Sequence, residues 1–156
     1  MARKPKPGKK FKYDLQSVLK VRAIKEKKEQ EKFSEKQREY MTEKEREEQI
    51  KEDKKNKEKD LRKIFKKPVA DMSKILTRKA HLEVLKDNLE KQIERVIEAS
   101  NLLEEQRARL IEAVKDKKVM EKHKERKLEE YGKMMLDLET KFLDEIATER
   151  FRHEER

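Results

Sequence analysis

The fold is decided by residues 75–110, which read ILTRKAHLEVLKDNLEKQIERVIEASNLLEEQRARL. An apolar residue occupies every seventh position of this stretch: Ile75, Leu82, Leu89, Val96, Leu103 and Leu110. Two further residues of the same phase follow at Tyr131 and Leu138. A sustained seven-residue repeat keeps a narrow apolar stripe on one side of a long helix, and such a stripe packs against another helix. The stretch therefore predicts a coiled coil.

The composition of the chain argues against a globule. Of 156 residues, 51% are charged and 5% are aromatic, and there are two glycines and three prolines. This composition is typical of coiled coils and long solvated helices, whereas sheets need clusters of turn residues that are absent here. The lack of cysteine excludes disulfides and thiolate metal sites. No apolar run approaches the roughly 18 residues of a membrane span, so a soluble cytoplasmic protein is the simplest interpretation.

The net charge of +10 is concentrated near the N-terminus. Residues 1–28 contain eleven Lys or Arg against Asp14 and Glu26, a net of +9, which leaves +1 for the rest of the chain. Residues 1–12 are predicted to be a basic disordered arm. Nucleic-acid binding by this arm is disfavoured because aromatic residues suited to base stacking are lacking. Binding to a membrane surface is disfavoured further, since the adjacent apolar face is short.

Pro68 separates two predicted helices. Proline inside a helix costs about 3 kcal/mol and disfavours helical backbone at the preceding residue. We expect helix one at about residues 14–65, a turn at about 66–72 and helix two at about 73–152. Residues 13–156 then form one all-α domain, a long antiparallel two-helix coiled-coil hairpin with an overhanging C-terminal helix.

The overhang follows from the unequal helix lengths. If the turn centres near Pro68, the start of helix one meets helix two around residues 115–122, and about 30 residues of helix two project beyond it. These residues carry their own stripe, which we name the terminal stripe: Leu128, Tyr131, Met135, Leu138, Phe142 and Ile146. Because the terminal stripe lacks a partner within the chain, it is the strongest candidate for a binding surface. A homodimer formed through it is the alternative to a different protein partner.

The richest part of the helix-two stripe lies opposite the most charged part of helix one. Glu26, Glu47 and Lys54 occupy core-phase positions of helix one. Either the stripe is only partly covered there, which would leave a second contact surface, or the register of the hairpin differs from the one assumed.

No catalytic constellation is present in the sequence. His81, His123 and His153 are far apart along a rod and lack the HExxH spacing of a zinc site. The carboxylates alternate with lysines on a solvated surface, so nothing desolvates a pair for acid–base catalysis. We therefore expect neither enzymatic activity nor a metal or other cofactor.

Three segments resemble signatures of the FliJ family of flagellar type III export proteins. The segment after the basic arm resembles the family's N-terminal pattern F-x-aromatic-x-L-Q-x-x-L followed by arginine and glutamate. The matching residues are Phe11, Tyr13, Leu15, Gln16, Leu19, Arg22 and Glu26. A mid-chain segment with Leu82, Leu85, Leu89 and Gln92 is similar to the start of the family's second helix. Residues 143–147, which read LDEIA, and Arg150 resemble its C-terminal signature.

The resemblance implies a fold similar to the coiled-coil part of the rotary ATPase γ subunit, acting as a non-enzymatic stalk. In that family the terminal ends of the hairpin enter the channel of a hexameric export ATPase and promote its activity. The middle of the hairpin contacts the cytoplasmic domain of the export gate, and export chaperones are further partners. The implied location is cytoplasmic, peripheral to the inner-membrane export apparatus.

The resemblance and the terminal stripe together give two sets of candidate contact residues. The ATPase-contact candidates are Leu15, Leu19, Arg22, Leu128, Tyr131, Met135, Leu138, Phe142, Ile146 and Arg150. The export-gate candidates are Ile50, His81, Leu85, Asn88 and Gln92. The alternatives are the equivalent stalk of a virulence secretion system, a nucleic-acid-associated coiled coil that uses the basic arm, and a purely structural spacer.

Overall fold

The structure, a computed structural model, describes residues 10–69 and 71–154. These residues form two helices, α1 (Gln16–Phe65) and α2 (Met72–Glu154), and contain no strand. The helices pack against each other in antiparallel directions, and α2 continues past the start of α1. The predicted all-α hairpin with an overhanging C-terminal helix is therefore confirmed. Residues 1–9, most of the predicted arm, lie outside the described residues.

The turn lies between Phe65 and Met72, around Pro68. The second helix begins with a side-chain cap. The Asp71 carboxylate accepts hydrogen bonds from the backbone N–H groups of Ser73 at 3.1 Å and Lys74 at 3.4 Å. This satisfies two of the backbone donors that a helix start leaves without a partner.

The chain divides into two compact units. The turn unit is Lys27–Glu112, and it contains the turn with the adjoining parts of both helices. The terminal unit comprises Met1–Glu26 and Ala113–Arg156.

The core of the turn unit is one seam between the two helices. Ile64 of α1 and Ile75, Val96 and Leu103 of α2 are buried, with 4 to 9% of their surface exposed. The other members of the heptad stripe in α2 are half-buried: Leu82, Leu89 and Leu110. The stripe found in the sequence is therefore the face that α2 turns toward α1.

Two glutamines fix the alignment of the helices in the turn unit. The Gln92 side-chain amide donates to the Glu43 carbonyl oxygen at 2.9 Å and to its carboxylate at 2.6 Å. Gln106 makes the same pair of bonds to Glu29, at 3.2 and 2.5 Å. The acceptors are 14 residues apart on α1 (43 − 29) and the donors 14 apart on α2 (106 − 92). The pairs therefore belong to one antiparallel register, and buried polar seam positions of this kind specify register.

A buried glutamate shows how charged α1 covers the apolar stripe of α2. Glu47 is only 5% exposed, and its carboxylate accepts bonds from Lys51 at 2.5 Å and Lys44 at 3.1 Å. These two lysines hold the pKa of Glu47 below its usual value, against the opposing effect of burial. Val96 and Leu103 are buried, so the stripe is covered at these positions. The Gln92–Glu43 and Gln106–Glu29 bonds centre the hairpin near Pro68, so the register is the one assumed from the sequence.

Candidate partner-binding surfaces

Two aromatic residues attach the start of the chain to α2. The Tyr13 side chain is buried, and its hydroxyl oxygen lies 2.7 Å from Nδ1 of His123. The two rings are 5.7 Å apart between centroids. Phe11, at the end of the predicted arm, packs its ring against that of Tyr131 with 5.6 Å between centroids. The aromatic residues of the N-terminal signature therefore serve the packing of the terminal unit.

Polar residues of the same signature also contact α2. The Arg22 guanidinium donates to the Asp116 carbonyl oxygen at 2.8 Å. Lys117 forms an ion pair with Glu26 at 2.9 Å, and this bond raises the pKa of the lysine. Arg22 is therefore partly engaged within the chain, and a partner that binds it must share or replace this contact.

The aliphatic residues at the start of α1 divide between seam and surface. Leu19 is half-buried, next to a seam in which Ala113 and Met120 of α2 are 1% and 8% exposed. Leu15 is 41% exposed. Of these two ATPase-contact candidates, Leu15 is the more accessible.

The terminal stripe lies on the part of α2 that extends beyond α1. The described end of this overlap is marked by the Phe11–Tyr131 contact. Leu128 and Phe142 are 51% and 62% exposed. The remaining members are half-buried: Tyr131, Met135, Leu138 and Ile146. Leu128 and Phe142 are therefore the most accessible members of the stripe, and Arg150 is exposed beyond it.

A second apolar face on the same segment was missed by sequence reasoning. Leu136 and Leu143, one heptad apart, are each 64% exposed, and Phe151 is 71% exposed. A helix turns by about 100° per residue, which places Leu136 and Leu143 about 140–160° around the helix from Leu138. The seven-residue spacing of these two leucines was the available signal. The end of α2 is thus apolar on two faces, unlike an ordinary surface helix.

The export-gate candidates do not form one accessible surface. Gln92 is buried and bonded to Glu43, and Ile50 and Leu85 are half-buried along the seam. His81 and Asn88 are exposed. Only these last two are available to a partner without disturbing the seam.

A different exposed patch lies on the flank of the turn unit. Met41, Ile93 and Ile97 are 61%, 37% and 55% exposed, and we name them the flank patch. In an antiparallel pair, the positions that directly follow the seam residues of both helices lie on the same flank. Tyr40, Gln92 and Val96 are the seam residues that precede these three. The flank patch was not predicted from the sequence.

Within residues 10–69 and 71–154, no group of three or more His, Asp or Glu side chains is placed to hold a metal ion. No helix in this part of the chain is long and apolar enough to cross a membrane.

These features define a class of protein, an antiparallel two-helix coiled coil whose longer helix exposes apolar side chains on two faces near its C-terminal end. The family model described as flagellar FliJ protein matches residues 11–156. The chain therefore belongs to the FliJ family, a non-catalytic component of the flagellar protein export apparatus. No curated protein and no solved structure matches the chain.

Proposed function

We propose that this chain is the stalk that binds and activates the hexameric export ATPase and couples it to the export gate. The observation that carries the proposal is the exposed apolar surface at the end of α2, where Leu128, Leu136 and Phe142 are each more than half exposed. Contiguous exposed apolar surface on a soluble protein marks an interaction site. Family membership directs the choice of partner to the export machinery.

The apolar surface supports a contact that surrounds the end of α2. A helix with one apolar face binds a single groove, whereas the stripe around Leu138 and the second face around Leu143 need apolar partners on two sides. A ring-shaped ATPase with a central channel supplies such surroundings. Because one rod touches six subunits unequally, its contacts favour different nucleotide states in different subunits, which is the proposed basis of activation.

Coupling to the gate is assigned to the turn unit. The flank patch, together with exposed His81 and Asn88, supplies accessible positions there. Export chaperones are further proposed partners, and they would compete for one of these two exposed apolar surfaces.

The test is ATP hydrolysis by the cognate export ATPase, with the full chain and with a version that ends at Lys127. We expect stimulation by the full chain and none by the shortened one. The shortened chain keeps the Tyr13–His123 contact and the turn unit, so circular dichroism and thermal melting should show that it remains a folded hairpin. A full chain with Met41→Asp and Ile97→Asp is the matched control, and it should stimulate normally while losing binding to the gate domain.

Two outcomes would refute the ATPase assignment. One is absence of stimulation by the folded full chain, and the other is equal stimulation by the full and shortened chains. Sedimentation equilibrium on the same samples tests the homodimer. If the full chain is a dimer and the shortened chain a monomer, with no effect of either on the ATPase, the terminal stripe is a dimer interface.

A further inference from the structure

Four lysines at the start of the described chain have no ion-pair partner. Lys10, Lys12, Lys20 and Lys25 are exposed, and none of them is hydrogen-bonded or ion-paired to another described residue. Elsewhere many lysines are paired with an acidic residue three or four positions away, as in Lys91–Asp87 at 2.8 Å. Among the described residues, these four lysines are therefore not neutralised by a neighbouring carboxylate.

Three aliphatic residues lie on the outer side of the same segment of α1. Val18, Val21 and Ile24 follow one another at intervals of three and are 38%, 65% and 56% exposed. They are directed away from the seam, since Leu19 is half-buried there and Arg22 bonds to α2. Residues three and four apart share a helix face, so Lys25 lies beside Val21 on this outer side.

We propose that this outer face of the terminal unit binds the surface of an anionic lipid bilayer. The lysine ammonium groups would contact acidic lipid headgroups, and the aliphatic side chains would enter the interface between headgroups and acyl chains. This combination of clustered lysine with an exposed apolar helix face is the one that recognises such surfaces. The sequence adds four more cations in residues 1–9.

The sequence alone disfavours binding to a membrane surface, because the apolar face beside the basic arm is short. The structure adds two observations in favour of it. It shows that the face is exposed and that the lysines around it are not paired with any other residue of 10–69 or 71–154. The positive charge of the segment and its short apolar face therefore both strengthen binding to an anionic bilayer, and neither has to provide the affinity alone.

A nucleic acid fits this face less well than a bilayer. Nucleic-acid recognition relies on arginine forks and on aromatic rings that stack on bases. Arg22 is the one arginine in residues 10–26, and it bonds to α2. The rings of Phe11 and Tyr13 pack against α2 as well. Val21 and Ile24 gain nothing beside a phosphate backbone, whereas they gain from a bilayer.

The experiment is co-sedimentation of the full chain with phosphatidylcholine vesicles, with and without an equal amount of phosphatidylglycerol. We expect binding to the anionic vesicles only, decreasing as salt is raised. Each lysine near an anionic membrane strengthens binding about fivefold. The triple variant K12Q/K20Q/K25Q should therefore bind roughly 100-fold more weakly. V21Q/I24Q should also bind more weakly, because its aliphatic contact is lost while its charge is unchanged.

The matched control is K55Q/K57Q/K59Q, which removes the same charge from exposed, unpaired lysines of the turn unit. It should bind anionic vesicles nearly as well as the unchanged chain. The proposal fails if the unchanged chain does not bind anionic vesicles, or if the two triple variants lose binding equally. It also fails in favour of a general polyanion site if V21Q/I24Q binds normally and duplex DNA displaces the vesicles. None of these outcomes depends on the ATPase assay.

Discussion

The turn unit and the terminal unit differ in the contacts that hold their helical segments together and in the apolar surface that they leave exposed. In the turn unit the apolar seam also contains two buried glutamines, Gln92 and Gln106, whose amides are bonded to glutamates of α1. In the terminal unit aromatic contacts such as Tyr13–His123 end near residue 131, and α2 continues with Leu136 and Phe142 exposed. Buried polar groups are satisfied in the described parts of both units, but the end of α2 differs from the turn unit in exposing apolar side chains on two faces of one helix.

This difference indicates how the chain divides stability from binding. Buried glutamines make a seam less stable than apolar residues would, but they specify one alignment of the two helices. A coiled coil that must keep a single register benefits from such positions. An exposed apolar helix end adds little to the stability of the isolated chain, and its free energy is gained when a partner covers it. Substitutions in the two units should therefore affect different measurements.

The largest expected effect comes from replacing Met135, Leu138 and Phe142 of the terminal stripe by aspartate. Fully burying each such side chain is worth about 1.5–3 kcal/mol, so the ATPase concentration needed for half-maximal binding should rise more than about 100-fold. The melting temperature of the hairpin should stay nearly constant, because these residues lie beyond the seam. Fluorescence-anisotropy titration and thermal melting measure the two quantities. A large loss of stability with unchanged affinity would reverse the assignment of the two units.

The second apolar face can be compared with the first in the same assay. Aspartate at Leu136 and Leu143 should weaken binding to the assembled ATPase ring, since both faces are proposed to be covered there. If these two substitutions leave the affinity unchanged while those in the terminal stripe lower it, the partner contacts only one side of α2. A contact that surrounds the end of α2 would then be excluded.

The next effect concerns stability in the turn unit. Leu103→Ala removes a buried side chain from the seam, and core truncations of this kind cost about 2–5 kcal/mol. We expect about 2 kcal/mol here, because a two-helix seam can collapse more readily than a closed core. Ile97 lies on the same helix and is 55% exposed. Ile97→Ala should therefore change the free energy of unfolding by less than about 0.5 kcal/mol. Equal losses from both substitutions in urea unfolding would show that Leu103 is not a seam residue.

The sequence contained enough information for the fold but not for the details of the seam. Regular leucine spacing and Pro68 predicted two antiparallel helices, and the excess length of the second predicted an overhang. Gln92 was placed among the export-gate candidates because it lies in the mid-chain segment that resembles the family, where the gate contact is implied. Its spacing of 14 residues from Gln106, matched by Glu29 and Glu43, was visible, but neither pairing could be deduced without knowing the register.

The candidate surfaces were predicted in part for a similar reason. The terminal stripe was recognised because its spacing follows the helical period. The flank patch combines Met41 of one helix with Ile93 and Ile97 of the other, so it exists only once the helices are aligned. The outer lysines and Val21 were visible in the sequence, but whether the lysines would find acidic partners depends on geometry that composition does not supply.

The double variant Q92L/Q106L should change the melting temperature little. It should have a larger effect on whether the two helices keep a single register. Leucine at both seam positions buries apolar surface in place of amides, so the hairpin should melt at the same temperature or somewhat higher. Loss of the two bonds to Glu43 and Glu29 should permit shifted registers or association between chains. Light scattering for mass, with spin-label distances across the turn unit, would detect both. A monomer with one sharp distance would show that the leucines of α2 alone set the register.

The smallest effect is a pH dependence of the stability of the turn unit. The Gln106 hydrogen bond, followed by that of Lys32, holds the pKa of Glu29 below its usual value of 4.5. A carboxylate with a lowered pKa stabilises the fold above its unfolded pKa, and this contribution disappears as the pH falls through the folded value. E29Q should therefore melt below the unchanged chain at pH 7, and the two melting temperatures should converge in acid. E31Q, which removes an exposed charge two residues away, should show a smaller difference at pH 7. Parallel curves for E29Q and the unchanged chain across the acid range would mean that the carboxylate does not take part in the seam.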